Sequence, residues 1–184
     1  MTMVVQNQGA PKKCLLMLGD SLVAGSNWQE RFPQWQVHNC GINGLTTFAL
    51  RQSLPRVQRC YPQADLIMIM IGTNDLLMGD VSFTADLAEI LGSLATNYPA
   101  SARLVCNLLP MQVSDLDNEI IQTTNMNIRT VVTNAGASLL DLHRRFSAAR
   151  DQLFLADGVH LTTAAYDLWG AALLEHIAFL GKND

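Results

Sequence analysis

Three short strings carry side chains able to work as one reacting centre: Gly19-Asp20-Ser21-Leu22, Gly72-Thr73-Asn74-Asp75 and Asp157-Gly158-Val159-His160. A serine hydroxyl is a weak nucleophile until a base takes its proton and a third group orients that base. Ser21, in a tight Gly-Asp-Ser turn, supplies the hydroxyl; taken alone it reads more readily as the cap of a following helix. Asp157 and His160 supply the other two groups. Three apart in a helical turn, they are neighbours with Cβ atoms about 5–6 Å apart. The acid can then accept from the imidazole Nδ1, fix the tautomer and leave Nε2 to face Ser21. Read without a nucleophile, the same pair is a helix start decorated with an acid and an imidazole. His38, His143 and His176 lack such a partner, since His143 follows Asp141 by only two positions.

Asn74 adds an amide donor at the end of a wholly apolar run, where an unpaired amide is costly. Stabilising an oxyanion is one use for it, and satisfying its own Asn-Asp turn is the other. A fourth stretch, from Asn39 to Thr46, contains Gly44. Its backbone N–H can approach the same oxygen with no Cβ in the way, or the glycine can simply turn the chain into a helix. Rival motifs are incomplete. Gly41-x-x-Gly44 lacks the first glycine pair of a dinucleotide turn, and Gly181-Lys182 follows no strand, so it is no phosphate loop. No His, Asp or Glu spacing suits a metal, so neither metal nor cofactor is expected.

Five apolar runs read as the strands that would carry these strings: Cys14–Leu18, Gln36–Asn39, Leu66–Ile71, Leu104–Leu109 and Ser138–Leu142. Leu66 to Ile71 is apolar at every position, as in strands covered on both faces of a parallel sheet. Helical spacing fills the gaps over Thr46–Cys60, Ser82–Asn97, Ser114–Ala135 and Thr162–Leu180, with a kink or division expected at Pro55, an N-cap at Ser82 and Trp169 buried. Alternating strand and helix predicts an α/β sandwich. Ligands of such folds bind outside the carboxyl ends of the strands, where Ser21, Gly44 and Asn74 each follow a strand.

At 184 residues the chain fits one domain, with residues 1–12 expected to be a flexible N-terminal segment. Apolar residues make up 49% and charged residues 15%, which suits a sheet covered on both sides. The net charge of -4, with no Lys/Arg block, argues against nucleic-acid binding. No apolar run approaches 18 residues, so no membrane span is expected. The polar stretch from Met1 to Lys13 lacks a signal-peptide core, which predicts a cytoplasmic protein, or a periplasmic or secreted one if a leader has been removed. Cys14, Cys40, Cys60 and Cys106 are widely spaced and read as reduced, packed thiols. Nothing in the pattern bears on oligomeric state.

Taken together, the four blocks resemble the SGNH (GDSL-type) hydrolases. Ser21 matches the Gly-Asp-Ser-Leu block, Gly44 the second block, Asn74 the Gly-x-Asn-Asp block, and Asp157 with His160 the Asp-x-x-His block. The blocks frame most of the chain, and its size is similar to that of compact bacterial members. The resemblance implies a three-layer α/β/α sandwich on a five-stranded parallel flavodoxin-like sheet. It further implies esterase, thioesterase or lysophospholipase activity without a cofactor. Ser21, Asp157 and His160 would form the triad, with Ser21, Gly44 and Asn74 as the oxyanion hole. Leu45 departs from the Gly-Asp-Thr of many members, which questions the hydrogen bonding around Gly44. A fatty-acyl ester or thioester is the expected small-molecule substrate. Leu76, Leu77, Met78, Met111 and Val113 are candidates for an acyl slot, or equally for core. A carbohydrate acetylesterase, or a non-catalytic domain that binds acylated ligands, are the alternatives.

Overall fold

The computed structural model describes residues 11–114 and 116–180. In chain order the elements are β1 (Cys14–Gly19), α1 (Ser21–Ala24), α2 (Trp28–Arg31), β2 (Gln36–Gly41), α3 (Thr47–Cys60), β3 (Leu66–Met70) and α4 (Thr73–Leu77). There follow α5 (Thr84–Asn97), β4 (Ala102–Cys106), α6 (Asn118–Asn134), β5 (Ser138–Leu140), α7 (Leu142–Ala148) and α8 (Thr163–Leu180). The expected flexible segment falls, for its first ten residues, outside the described ones. Lys12 is described, and its ammonium donates to the Pro33 carbonyl at 2.6 Å.

The strands pair in parallel throughout, in the order β2-β1-β3-β4-β5. Successive side chains of a strand face opposite ways, so an apolar run can bury both sets only with helices on both sides. Leu15, Met17, Met68 and Met70 pack with α1, α2 and α8 residues on one face. Leu16, Leu18, Ile67 and Ile69 pack with α3, α5 and α6 on the other. The result is the α/β/α sandwich with the flavodoxin-like strand order. The order reverses between β1 and β3, so a crevice opens beyond their carboxyl ends. Ser21 and Asn74 sit in the first turns after those two strands.

Several boundaries differ from the expected ones for local reasons. β4 ends at Cys106 because Asn125 of α6 captures the next backbone, donating to the Leu108 carbonyl at 2.9 Å and accepting its N–H at 2.8 Å. β5 ends at Leu140 because the Asp141 side chain turns to cap α7. Pro55 neither divides nor ends α3; it sits on the exposed side of the helix, which runs unbroken from Thr47 to Cys60. Ser82 does not cap α5, because Asp80 holds both its N–H and its hydroxyl at 2.7 Å. The four cysteines are free, but only Cys106 is fully buried and Cys60 is exposed, so the reading as packed thiols fails there. Among the described residues no helix is long and apolar enough to cross a membrane.

The one-turn α1 has too few residues to satisfy its own carbonyls, and aromatic side chains complete it. The Tyr166 hydroxyl donates to the Leu22 carbonyl at 3.0 Å and the Trp28 indole to the Val23 carbonyl at 2.7 Å. Trp28 in turn stacks on Phe32 and meets Trp169 edge-on at 4.9 Å. Removing that buried indole takes away both packing and a hydrogen bond. We expect Trp28→Ala to lose about 3–5 kcal/mol of stability, measured by urea unfolding. A loss below about 1 kcal/mol would show that the aromatic cluster does not hold α1.

Candidate active site

Ser21 is the first residue of α1, and two adjoining residues fix it there. Gly19 lies opposite Met70 in the β1–β3 register, and a Cβ on it would stand 2.1 Å from the Met70 carbonyl oxygen. Only glycine lets the two strands close at this point. Asp20 caps α1, its Oδ1 accepting from the Leu22 N–H at 2.9 Å. As first residue of a helix, Ser21 has no carbonyl one turn earlier for its own N–H. That N–H is therefore available at the crevice.

His160 meets Ser21 from the far end of the chain. Its Nε2 lies 3.1 Å from Ser21 Oγ, and its Nδ1 lies 2.7 Å from Asp157 Oδ2. The pair stands in a loop just before α8 rather than inside a helix. The Leu155 and Gly158 amides close that loop on the His160 and Leu155 carbonyls, and Phe154 and Leu161 bridge its base. Gly158 presses against the loop after β4, where its carbonyl accepts from the Gln112 N–H at 2.8 Å. Asp157 also accepts from the backbone N–H groups of Val159 and His160. The Val159 bond, then the imidazole and the His160 N–H, hold its carboxyl down at about 2. It is thus an anion throughout the neutral pH range.

Asn74 lies in the first turn of α4, and its amide donates to the Leu45 carbonyl at 3.0 Å. An amide carries two donor hydrogens, so one remains for the crevice. Gly44 precedes Leu45 with φ +73°, a conformation that favours glycine, in a turn closed by the Leu45 N–H on the Ile42 carbonyl. A Cβ there would meet nothing within 4 Å. The glycine answers the backbone twist of the turn rather than crowding. The Ile42 N–H also donates to the Gly19 carbonyl, tying this turn to the end of β1. Leu45 itself packs against the core, and the hydrogen bonding it put in question comes from elsewhere: Asp75 accepts from the N–H and hydroxyl of Thr47 at the start of α3.

Two buried groups here escape a reading by motif. Asp20 is fully buried, and desolvation raises its carboxyl to about 6, against the pull of the Leu22 N–H, the Thr73 hydroxyl and His160. Its Oδ2 and the Thr73 Oγ, both buried, complete no hydrogen bond. Native proteins rarely leave such groups unsatisfied without a use. The string Gly-Asp-Ser marks Asp20, but nothing in it reveals the burial. Thr73 reads only as a spacer. Among the described residues no three His, Cys, Asp or Glu side chains gather as a metal site.

The apolar residues near the rim divide. Leu76 and Met111 are core, whereas Leu77, Met78 and Val81 are exposed, with Met78 70% accessible. Ile42, Phe48 and Leu155, next to the other site strings, are exposed too. Val113 is partly buried and helps line a cavity of about 570 Å³ between the post-β4 loop and α7.

The GDSL-like lipase/acylhydrolase family model matches residues 17–168. Among solved structures, a lipase/acylhydrolase from Enterococcus faecalis superposes with a TM-score of 0.78 at 17% identity, covering 90% of this chain and 95% of that one. TesA gives 0.75 at 19% identity, covering 89% and 97%. Axe2, an acetylxylan esterase from Geobacillus stearothermophilus, gives 0.75 at 17%, covering 90% and 94%. At these identities the likeness is one of fold. No curated protein sequence matches the chain.

The bonds around Asp157 predict its titration. A carboxyl held low stabilises the folded loop above the unfolded value near 3.8, and that support is lost as pH falls towards about 2. Carbon-13 NMR of the Asp157 carboxyl should show a midpoint well below 4. His160→Ala should raise it only in part, because the Val159 N–H remains. A midpoint at or above 4 in the wild type would remove Asp157 as a fixed anion.

Proposed function

The chain belongs to the GDSL-like lipase/acylhydrolase family, and on that footing we propose that it hydrolyses acyl esters or thioesters through a Ser21–His160–Asp157 triad. The observation that carries the proposal is the continuous relay from Asp157 Oδ2 to Nδ1, across the ring, and from Nε2 to Ser21 Oγ, at 2.7 and 3.1 Å. Both contacts lie within hydrogen-bond reach, as a nucleophile and its base require.

The steps follow from that geometry. Ser21 Oγ attacks the acyl carbonyl carbon while His160 Nε2 takes its proton. Asp157 stays ionised, holds the tautomer and stabilises the imidazolium. The carbonyl oxygen becomes an oxyanion, for which the Ser21 N–H, the Gly44 N–H and the second hydrogen of the Asn74 amide are the donors. His160 then protonates the departing alcohol or thiol, leaving an acyl-serine. A water deprotonated by the same imidazole attacks that ester, and the acid leaves as Ser21 recovers its proton. The exposed Leu77, Met78, Val81 and Leu155 favour an apolar acyl group over a polar one. No residue of this scheme calls for a cofactor.

Ser21→Ala should reduce hydrolysis of p-nitrophenyl butyrate by at least roughly 10³-fold. A fluorophosphonate should label the wild type at Ser21 alone. Labelling elsewhere, or a variant within tenfold of wild type, would refute the nucleophile. A wild type that binds acylated ligands yet turns over none of the p-nitrophenyl esters would instead support a binding domain. Turnover of acetylated xylan in preference to butyrate and octanoate esters would redirect the substrate to acetylated carbohydrate.

Asn74→Ala should lower kcat by about 10²–10³ with little change in KM, as for a donor used mainly in the transition state. A rise in KM alone would assign Asn74 to ground-state binding.

A further inference from the structure

Asp20 is the group whose surroundings the mechanism leaves unused. It sits between the nucleophile and the start of α4, fully buried, with Oδ1 on the Leu22 N–H and Oδ2 unsatisfied beside the Thr73 hydroxyl. An N-cap needs only a side-chain oxygen, and Asn caps as well as Asp. A buried carboxylate is far more costly than an amide in that place. The cap therefore does not account for the charge. The titratable groups that face it are His160 before α8, Asp75 on α4 and Tyr166 on α8. Asp75 opposes the charge and His160 favours it. The imidazole gains a positive charge in the reaction, so an anion near it is worth more in the transition state than at rest.

Resting on the triad reading above, we infer that Asp20 is a positioning residue for the hydrolysis. Its carboxylate, buried beside Ser21 with Oδ1 on the Leu22 N–H, fixes the turn that presents the nucleophile, and its charge favours the protonated His160. It touches neither substrate nor the reacting atoms. Because burial raises its carboxyl to about 6, its charge is absent in mild acid and present at neutral pH. Sign and window follow from linkage: a raised acid loses folding stability as pH climbs from the unfolded value near 3.8 through about 6. Above that, the charge is retained at a cost to the fold.

Asp20→Asn separates the two roles, since it keeps the cap oxygen and removes the charge. With p-nitrophenyl butyrate at pH 8, kcat should fall 10- to 100-fold with KM within twofold, while the thermal midpoint stays level or rises. The acid limb of kcat should lose the component that Asp20 contributes near about 6. A kcat within twofold of wild type overturns the inference, and so does a loss of kcat accompanied by a lower midpoint and an unaltered acid limb. Fluorophosphonate labelling distinguishes the failures. A wild type unlabelled at Ser21 overturns the triad and this role together, whereas labelled, active wild type beside an equally fast Asp20→Asn overturns this role alone.

Discussion

β1 and β3 approach so closely at their carboxyl ends that residue 19 has no room for a methyl group against the Met70 carbonyl. The rest of the site depends on that closeness. It brings the first turns after two neighbouring strands, one bearing Ser21 and the other Asn74, to the same side of the crevice. Because the strand order reverses between these two strands, their following helices leave in opposite directions and the crevice stays open. The turn after β2 joins from the flank, held by the Ile42 bond to Gly19 and the Asn74 bond to Leu45. Strand pairing thus fixes three of the four blocks before any side chain does chemistry.

Three carboxyl groups near this crevice meet three different environments. Asp157 is exposed and receives three hydrogen bonds, so it is held as an anion. Asp75 is buried and raised by desolvation, which its bonds to Thr47 offset only in part. Asp20 is buried with one oxygen unsatisfied and is raised furthest into the physiological range. Identical chemical groups are therefore held at three different acidities, and the proposed mechanism uses the first as orienter and the last as a positioning group. What distinguishes them is water and the count of N–H groups, not distance from Ser21 alone.

Much of this architecture was legible in the residues. The unbroken apolar run in β3 announced a strand covered on both faces, and alternating strand and helix announced the parallel sandwich. The four strings located every residue of the relay, because three-residue spacing and strand-end position are local properties. The short helices α1, α2, α4 and α7 were not legible, being four to seven residues long and held by partners distant in sequence. Tyr166 completing α1 lies 144 positions away from its acceptor. Asn125 ending β4 is the same kind of effect. Likewise, whether Leu76 or Met78 met solvent depended on packing that no spacing encodes.

Ser21 and His160 are separated by 139 positions, and the helix bearing Tyr166 closes over α1 last in chain order. During synthesis the proposed nucleophile leaves the ribosome long before its proposed base does. On the proposed mechanism, a growing or truncated chain ending before residue 160 is chemically silent, whatever sheet it has already formed. Ester turnover becomes a built-in reporter of complete assembly, since the catalytic event can be seen only in molecules whose two ends have found each other. Refolding followed by hydrolysis would time the docking of that last helix, while spectroscopic signals from the sheet would time everything earlier.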